Sequence, residues 1–313
     1  KDSFRLRAAG ASPVMLISRK RRAIITEFAA QDEPRLDDQL FNNEQIDSYL
    51  LDAYPNEREL DDLPALDYAV PQHLIHPFSY TSYADGEQAT IHAFYIGDVD
   101  SIAYDTVIMY CHGNRGHMDF YWNRAKLLAH VGGAFRYGVL MIDYRGFGMS
   151  TGSPSEEGLY ADVSGALEWL RQEGLTEDRL VMYGYSLGTA PATKLTAEPR
   201  GLRPSKLILE APFANAEVMV QDATGLALPG SYFTNLEINN AEEIRTVHAP
   251  FCWIHGIDDD FLNIDTHGEV VYANHPGPVK QGHRVVGGKH NDVPRAMGYS
   301  TYTATLEAFI SAP

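Results

Sequence analysis

The stretch that most constrains this chain lies between residues 180 and 197. An apolar run with a β-branched member, Leu180 to Tyr183, leads into Gly184-Tyr185-Ser186-Leu187-Gly188, and a run of mostly small residues from Gly188 to Ala197 follows. The first run reads as a buried strand, and the second as a helix. Between them stands a G-x-S-x-G pattern, which places a serine on a very tight strand-to-helix turn. Such a turn forces the serine into a strained backbone conformation and crowds the residues two before and two after it. Glycine at 184 and 188 removes the Cβ atoms that would collide. The Ser186 hydroxyl is thereby exposed above a sheet, with a helix N-terminus aimed at it. A glycine-flanked turn with an ordinary serine would look the same in isolation, so the reading depends on partners elsewhere in the chain.

The rest of the chain supplies the sheet. His73 to Tyr83 and Ala89 to Tyr95 read as strands around the turn signal Ala84-Asp85-Gly86-Glu87, an antiparallel hairpin. Strands and helices then alternate. Strands are expected at Thr106–Tyr110, Tyr137–Ile142, Arg179–Tyr183, Lys206–Glu210, Pro250–Ile254 and His283–Val286. Helices are expected at Met118–His130, Ser155–Gln172, Ser186–Ala197, Asp265–Asn274 and Val293–Ile310. In the second of these, Leu159, Val163, Leu167 and Leu170 share one face. Continuous apolar strands alternating with helices imply a mostly parallel sheet of about eight strands covered on both faces, and right-handed crossovers make it doubly wound. Residues 212–245 break the alternation. They hold Val218, Met219, Val220, Leu226, Leu228, Pro229, Tyr232 and Phe233 and are too long for a plain connection, so a small cap over the serine is expected there.

A serine hydroxyl needs a base and an orienting acid. In this topology both come from loops at the carboxyl ends of later strands. After Pro250–Ile254 comes His255-Gly256-Ile257-Asp258-Asp259-Asp260; after His283–Val286 comes Gly287-Gly288-Lys289-His290-Asn291-Asp292. His290 is the expected base. Asp259, three residues after Gly256, is the favoured acid, with Asp258 and Asp260 as alternatives. The oxyanion formed on a reacting carbonyl needs donors too. Leu187 offers the backbone N–H after the nucleophile, and Asn114, in Cys111-His112-Gly113-Asn114-Arg115-Gly116, offers the second. His112 is expected to pin that loop by hydrogen bonding. Tyr121, Trp122, Tyr185, Leu187, Phe213 and Phe261 are the expected pocket walls.

Charge separates the N-terminal stretch from the body. The 313 residues carry a net charge of −17, with a pI near 5, which argues against nucleic acid as the main partner. Residues 1–22 hold seven basic residues against Asp2, a net +6, so the remainder carries −23. Residues 1–70 are expected to form an extension, a basic arm around Arg19-Lys20-Arg21-Arg22 followed by an acidic wrap, with a short helix over Asn43–Leu51. The α/β domain, cap included, is expected over residues 71–313. The arm is expected to dock on the acidic body of its own or a neighbouring subunit, a possible route to a homo-oligomer. No apolar run is long enough for a transmembrane helix, and no secretory h-region is present as the chain stands. Cys111 and Cys252 fall in expected interior strands and read as buried free thiols, which fits a reduced, cytoplasmic compartment.

Taken together, His112-Gly113-Asn114, Asp143-Tyr144-Arg145-Gly146-Phe147-Gly148-x-Ser150, Gly184 to Gly188, His255-Gly256-x-x-Asp259 and Gly288-x-His290-Asn291-Asp292 resemble the α/β-hydrolase fold superfamily. The resemblance covers roughly residues 75–313, and within the superfamily it looks like the serine hydrolase branch with a small cap, which includes bacterial esterases and acyl-protein thioesterases. It implies Ser186, Asp259 and His290 as a triad, Asn114 and Leu187 as oxyanion donors, and a structural turn over Asp143–Ser150. The expected substrate is a small-molecule ester with a small to medium acyl group, aryl groups included, cleaved without metal or organic cofactor. A thioesterase or serine peptidase is the alternative, and a non-catalytic binding protein on the same fold a remote one.

Overall fold

In the computed structural model, residues 41–219 and 236–313 are described throughout, together with the backbone of two short strands in residues 1–40. The chain divides into two compact units, Lys1–Leu40 and Phe41–Pro313. In the first, β1 (Val14–Ile17) pairs antiparallel with β2 (Arg22–Ile25). The Arg19–Arg22 stretch and the rest of the expected basic arm otherwise lie outside the described residues.

The second unit is built on an eight-stranded sheet of order β10-β9-β8-β7-β5-β6-β4-β3. Its strands are β3 (Ile75–Ala84), β4 (Glu87–Ile96), β5 (Val107–Cys111), β6 (Gly138–Ile142), β7 (Leu180–Tyr185), β8 (Lys206–Glu210), β9 (Phe251–Gly256) and β10 (Lys280–Val285). The β3–β4 hairpin runs antiparallel and joins β6 antiparallel. The remaining pairs are parallel. All residues of β5, β6, β7 and β9 are buried, as strands covered on both faces must be.

The covering helices are α1 (Met118–Leu128), α2 (Glu156–Gln172), α3 (Thr189–Ala197), α4 (Gly268–Asn274) and α5 (Tyr299–Ser311). Helix α2 begins where the Ser155 hydroxyl accepts the Gly158 N–H at 3.0 Å, with Glu156 and Glu157 complementing its N-terminus. Its expected apolar face, Leu159, Val163, Leu167 and Leu170, is buried. The expected closing helix over Val293–Ile310 is two helices, Val293–Met297 and α5. Gly298, at φ 82°, separates them with a left-handed conformation that a helix interior excludes.

The stretch 41–70 falls within the Phe41–Pro313 unit, and the expected helix over Asn43–Leu51 is absent: only Leu51 enters a single 3₁₀ turn, Leu51–Ala53. Asn43 and Gln45 make parallel bridges with Gly116 and Gly148, and the backbone groups a helix would use internally are spent on those loops. The Gly116 N–H donates to the Asn42 carbonyl, and the Gly148 N–H to that of Glu44. Farther along, Leu60 and Leu63 are buried and the Glu59 N–H donates to the Phe120 carbonyl, so this stretch covers the outer side of α1. Every residue of α1 is buried in consequence.

Of the expected cap, residues 220–235 lie outside the described residues, and with them Val220, Leu226, Leu228, Pro229, Tyr232 and Phe233. The two described ends of the segment meet. The Ala216 N–H donates to the Ile238 carbonyl and the Ala241 N–H to the Ala214 carbonyl, so the segment leaves and returns at one place beside the end of β8. Cys111 and Cys252 are free and buried, and burial pushes the Cys252 thiol up to about 12.

Candidate active site

Ser186 stands at the end of β7 with φ 51°, a left-handed conformation in a residue with a side chain. Such a conformation costs on the order of 1–3 kcal/mol and persists only where its surroundings over-determine it. The surroundings are visible. A Cβ at Gly184 would lie 2.6 Å from the Gly188 carbonyl oxygen, and one at Gly188 would lie 2.0 Å from that of Cys111. The first approach closes the elbow on itself. The second seats it against the end of β5, where the 112–116 loop begins. Behind the elbow the Thr189 hydroxyl donates to the Ser186 carbonyl at 2.6 Å, and the Asn240 amide bridges Thr189 Oγ1 and the Phe213 carbonyl.

The three groups scattered over the later chain converge here. His290 Nε2 lies 2.9 Å from Ser186 Oγ, and His290 Nδ1 lies 2.9 Å from Asp259 Oδ2. Asp258 and Asp260 are exposed; of the three aspartates, Asp259 faces the imidazole. The sharp turn after β9 explains the selection. Asp259 Oδ1 accepts the N–H groups of Phe261 and Leu262 at 2.9 and 2.7 Å, which turns its carboxylate inward. Gly256 lets the two loops close, since a Cβ there would lie 2.1 Å from the Gly288 carbonyl oxygen. Burial pushes the Asp259 carboxyl up, but hydrogen bonds from His255 and His290 and the charge of His290 outweigh it and hold the group well below the usual carboxylate range. A neutral imidazole with its Nδ1–H held by this carboxylate presents a bare Nε2 to the hydroxyl, the arrangement a general base needs.

The oxyanion candidates sit where the elbow meets β5. Leu187 lies in the first turn after Ser186 and is nearly buried. Asn114 accepts the Asn42 N–H on its side-chain Oδ1 at 2.9 Å, which ties its loop to the strap formed by residues 41–70. His112, fully buried, lies 2.8 Å through Nδ1 from the Gly113 carbonyl, while Tyr144 donates to the His112 carbonyl at 2.9 Å. His112 Nε2 stands 3.2 Å from Asp143 Oδ1 without hydrogen-bond geometry. Asp143 in turn accepts from the Tyr49 hydroxyl at 2.6 Å. Burial and the Asp143 charge push the Tyr49 phenol far above its ordinary value, so it stays protonated toward Asp143, while its oxygen accepts the Met149 N–H at 3.1 Å.

The expected pocket walls fare differently. Phe261 is 47% exposed and meets the His290 ring edge-on at 5.0 Å, at the rim of the site. Trp122 is fully buried against Phe94 and faces the core, because α1 is covered on every side. Tyr121 stacks on His112 at 4.8 Å and is a support of the 112–116 loop. Phe213 is buried beside the elbow. Tyr185 is buried as well. Its hydroxyl donates to Asn291 Oδ1 at 2.7 Å and reaches the His290 carbonyl at 3.2 Å, and the Arg124 guanidinium lies over its ring at 4.1 Å. For Trp122 and Tyr185, burial corrects the sequence assignment: the first packs the core, and the second holds the histidine loop.

Three features escaped sequence reading. Tyr49 comes from the strap, more than ninety positions from Asp143, with no local signal. His255, quoted only as a motif letter, touches Asp259. Arg124, Glu59 and Glu210 form a buried ionic cluster under Tyr185. Among the described residues no group of His, Cys, Asp and Glu is arranged to hold a metal ion, and no helix is long and apolar enough to cross a membrane.

A family model for the alpha/beta hydrolase fold matches residues 106–227. A second, for molybdopterin guanine dinucleotide synthesis protein B, matches residues 1–60, where none of the site residues expected from sequence falls. Among curated proteins the chain is similar to alpha/beta hydrolase domain-containing protein aho-3 of Caenorhabditis elegans, 31% identical over 206 residues that cover 65% of this chain and 57% of that one. It is also similar to human alpha/beta hydrolase domain-containing protein 17C, 27% identical over 205 residues, with 65% and 57% covered. The chain spans about three fifths of the length of the curated relatives it matches. Among solved structures, the esterase Pf2001 of Pyrococcus furiosus superposes with a TM-score of 0.59 at 15% identity, covering 85% of this chain and 98% of that one. The sheet order, the elbow and these likenesses agree: the chain has the α/β-hydrolase fold.

Proposed function

We propose that this protein is a serine hydrolase that cleaves carboxylic esters of small to medium acyl groups through an acyl-enzyme intermediate. The observation that carries the reading is the hydrogen-bonded line from Ser186 Oγ through His290 to Asp259, with 2.9 Å at each step. His290 Nε2 takes the Ser186 proton as Oγ attacks the ester carbonyl. Asp259, held anionic, stabilises the imidazolium that forms. The oxyanion is received by the N–H groups of Leu187 and Asn114, each donor being worth about 3 kcal/mol in the transition state. The imidazolium then protonates the leaving alkoxide. A water, deprotonated by His290, releases the acid and frees Ser186.

The choice of esters is supported by the rim. Phe261 leaves an apolar surface against His290, suited to an acyl or aryl group. The solved esterase that shares the fold points the same way. The test is stoichiometric labelling by a fluorophosphonate, lost in Ser186→Ala, with turnover measured on p-nitrophenyl esters, S-acyl thioesters and aminoacyl anilides. Labelled enzyme that turns over the esters fastest supports the proposal. Absence of labelling overturns it, and preference for thioesters or anilides reassigns the substrate.

A further inference from the structure

Asp259 has a second histidine on it. His255, the fifth residue of β9, is fully buried, and its Nε2 lies 3.1 Å from Asp259 Oδ2, the same oxygen that faces His290 Nδ1. His255 Nε2 also lies 3.0 Å from the Leu262 carbonyl. Both neighbours of that nitrogen are acceptors, so it must carry the proton. The other nitrogen, Nδ1, is buried without a hydrogen-bond partner. It faces Gly268, where a Cβ would lie 2.3 Å away, and Trp253 flanks the ring. The ring thus has one defined tautomer and no space to turn.

We propose that His255 is a positioning residue for the triad, a fourth group that fixes the Asp259 carboxylate and draws on its charge, so that the carboxylate orients His290 without making it too basic. The inference rests on the serine hydrolase reading. The carboxylate receives three hydrogen bonds, from the Phe261 and Leu262 N–H groups on Oδ1 and from His290 on Oδ2, and His255 Nε2, whose N–H also meets the Leu262 carbonyl, adds a fourth contact on Oδ2 at 3.1 Å. A carboxylate sharing its charge among these four groups pulls less on any one of them. Removing the His255 donor returns that charge to the His290 bond and favours the imidazolium. Other charged and titratable groups face this assembly. Glu269 of α4 faces His255, and Tyr185 with Arg124 behind it supports the His290 loop. Lys289 and Asp292 flank His290 within its own loop. None of them replaces the His255 donor at Oδ2.

The test compares His255→Gln, whose amide nitrogen reaches the Nε2 position, with His255→Phe, which fills the space without a donor. Activity on a p-nitrophenyl ester is followed against pH. In His255→Phe, kcat is expected to fall about 10- to 100-fold with KM within about twofold, the loss of one hydrogen bond to a charged group. The acid limb of kcat/KM is expected to move up by about half a unit or more. His255→Gln restores the wild-type limb. A folded His255→Phe with the wild-type profile overturns the inference. If that variant does not fold, the imidazole nitrogen spectrum of the wild-type protein decides. A protonated Nε2 and bare Nδ1 on His255 support the proposal, and the opposite tautomer removes it. If wild-type Ser186 takes no fluorophosphonate, the hydrolase reading fails instead, while the tautomer of His255 still reports which of its nitrogens faces Asp259.

Discussion

Replacing Arg124 with methionine separates packing from charge beneath the histidine loop. Arg124 is fully buried and binds Glu59 through two nitrogens, at 2.7 and 3.1 Å, and Glu210 through a third at 2.7 Å. Tyr183 and Tyr302 both donate to Glu210. Methionine keeps the stem and removes the cation, leaving two buried carboxylates. Removing one partner of a buried ion pair costs about 3–5 kcal/mol. Protonation caps the penalty. At pH 7 a glutamate with an ordinary value near 4.3 costs about 4 kcal/mol to neutralise, and at pH 5 only about 1 kcal/mol. Glu210 keeps its two tyrosine donors, so Glu59 dominates. The expected loss is about 4 kcal/mol at pH 7, shrinking to about 2 kcal/mol or less at pH 5. Urea unfolding at the two pH values measures it. Adding Glu59→Gln to the variant is expected to restore part of the loss at pH 7 only. A loss below about 1 kcal/mol at pH 7, or one equal at both pH values, refutes the reasoning. Because the guanidinium also lies under Tyr185, kcat should fall in the folded variant as the His290 loop loosens.

Asp259→Asn should lower kcat by three to four orders of magnitude, whereas Asp258→Asn and Asp260→Asn stay within about threefold, read on the same ester. With its folded value depressed, Asp259 contributes stability that is full above the ordinary carboxylate range and is lost as pH falls through the folded value. Acid unfolding of the wild type should therefore steepen below about pH 4, and less so in Asp259→Asn. Gly188→Ala should abolish activity and cost several kcal/mol, because its Cβ meets backbone at 2.0 Å rather than a movable side chain. A near-wild-type Gly188→Ala enzyme would mean the elbow does not seat on β5 as described. Tyr49→Phe should lower kcat several-fold and leave KM unchanged by freeing Asp143 and, through it, the 112–116 loop. An unaltered kcat there would separate the strap from the site.

The amino-acid sequence by itself determined the parts whose signals are local. The alternation of apolar strands and amphipathic helices marks a doubly wound sheet, and Gly184 and Gly188 mark the elbow, because burial period and backbone crowding act over a few residues. Folding decided what depends on distant groups meeting. Spacing from Gly256 favours Asp259 but leaves Asp258 and Asp260 open; the backbone donors of Phe261 and Leu262 are what turn the Asp259 carboxylate inward. The same holds for Tyr185 and Trp122, whose aromatic character suits a pocket wall or a core equally well. It holds as well for Tyr49 and Arg124, which carry no spacing signal. A strap covering α1 turned the expected walls inward and brought a tyrosine to Asp143. Periodicity records which face of an element is buried; it does not record which segment does the burying, because that contact joins residues far apart in the chain.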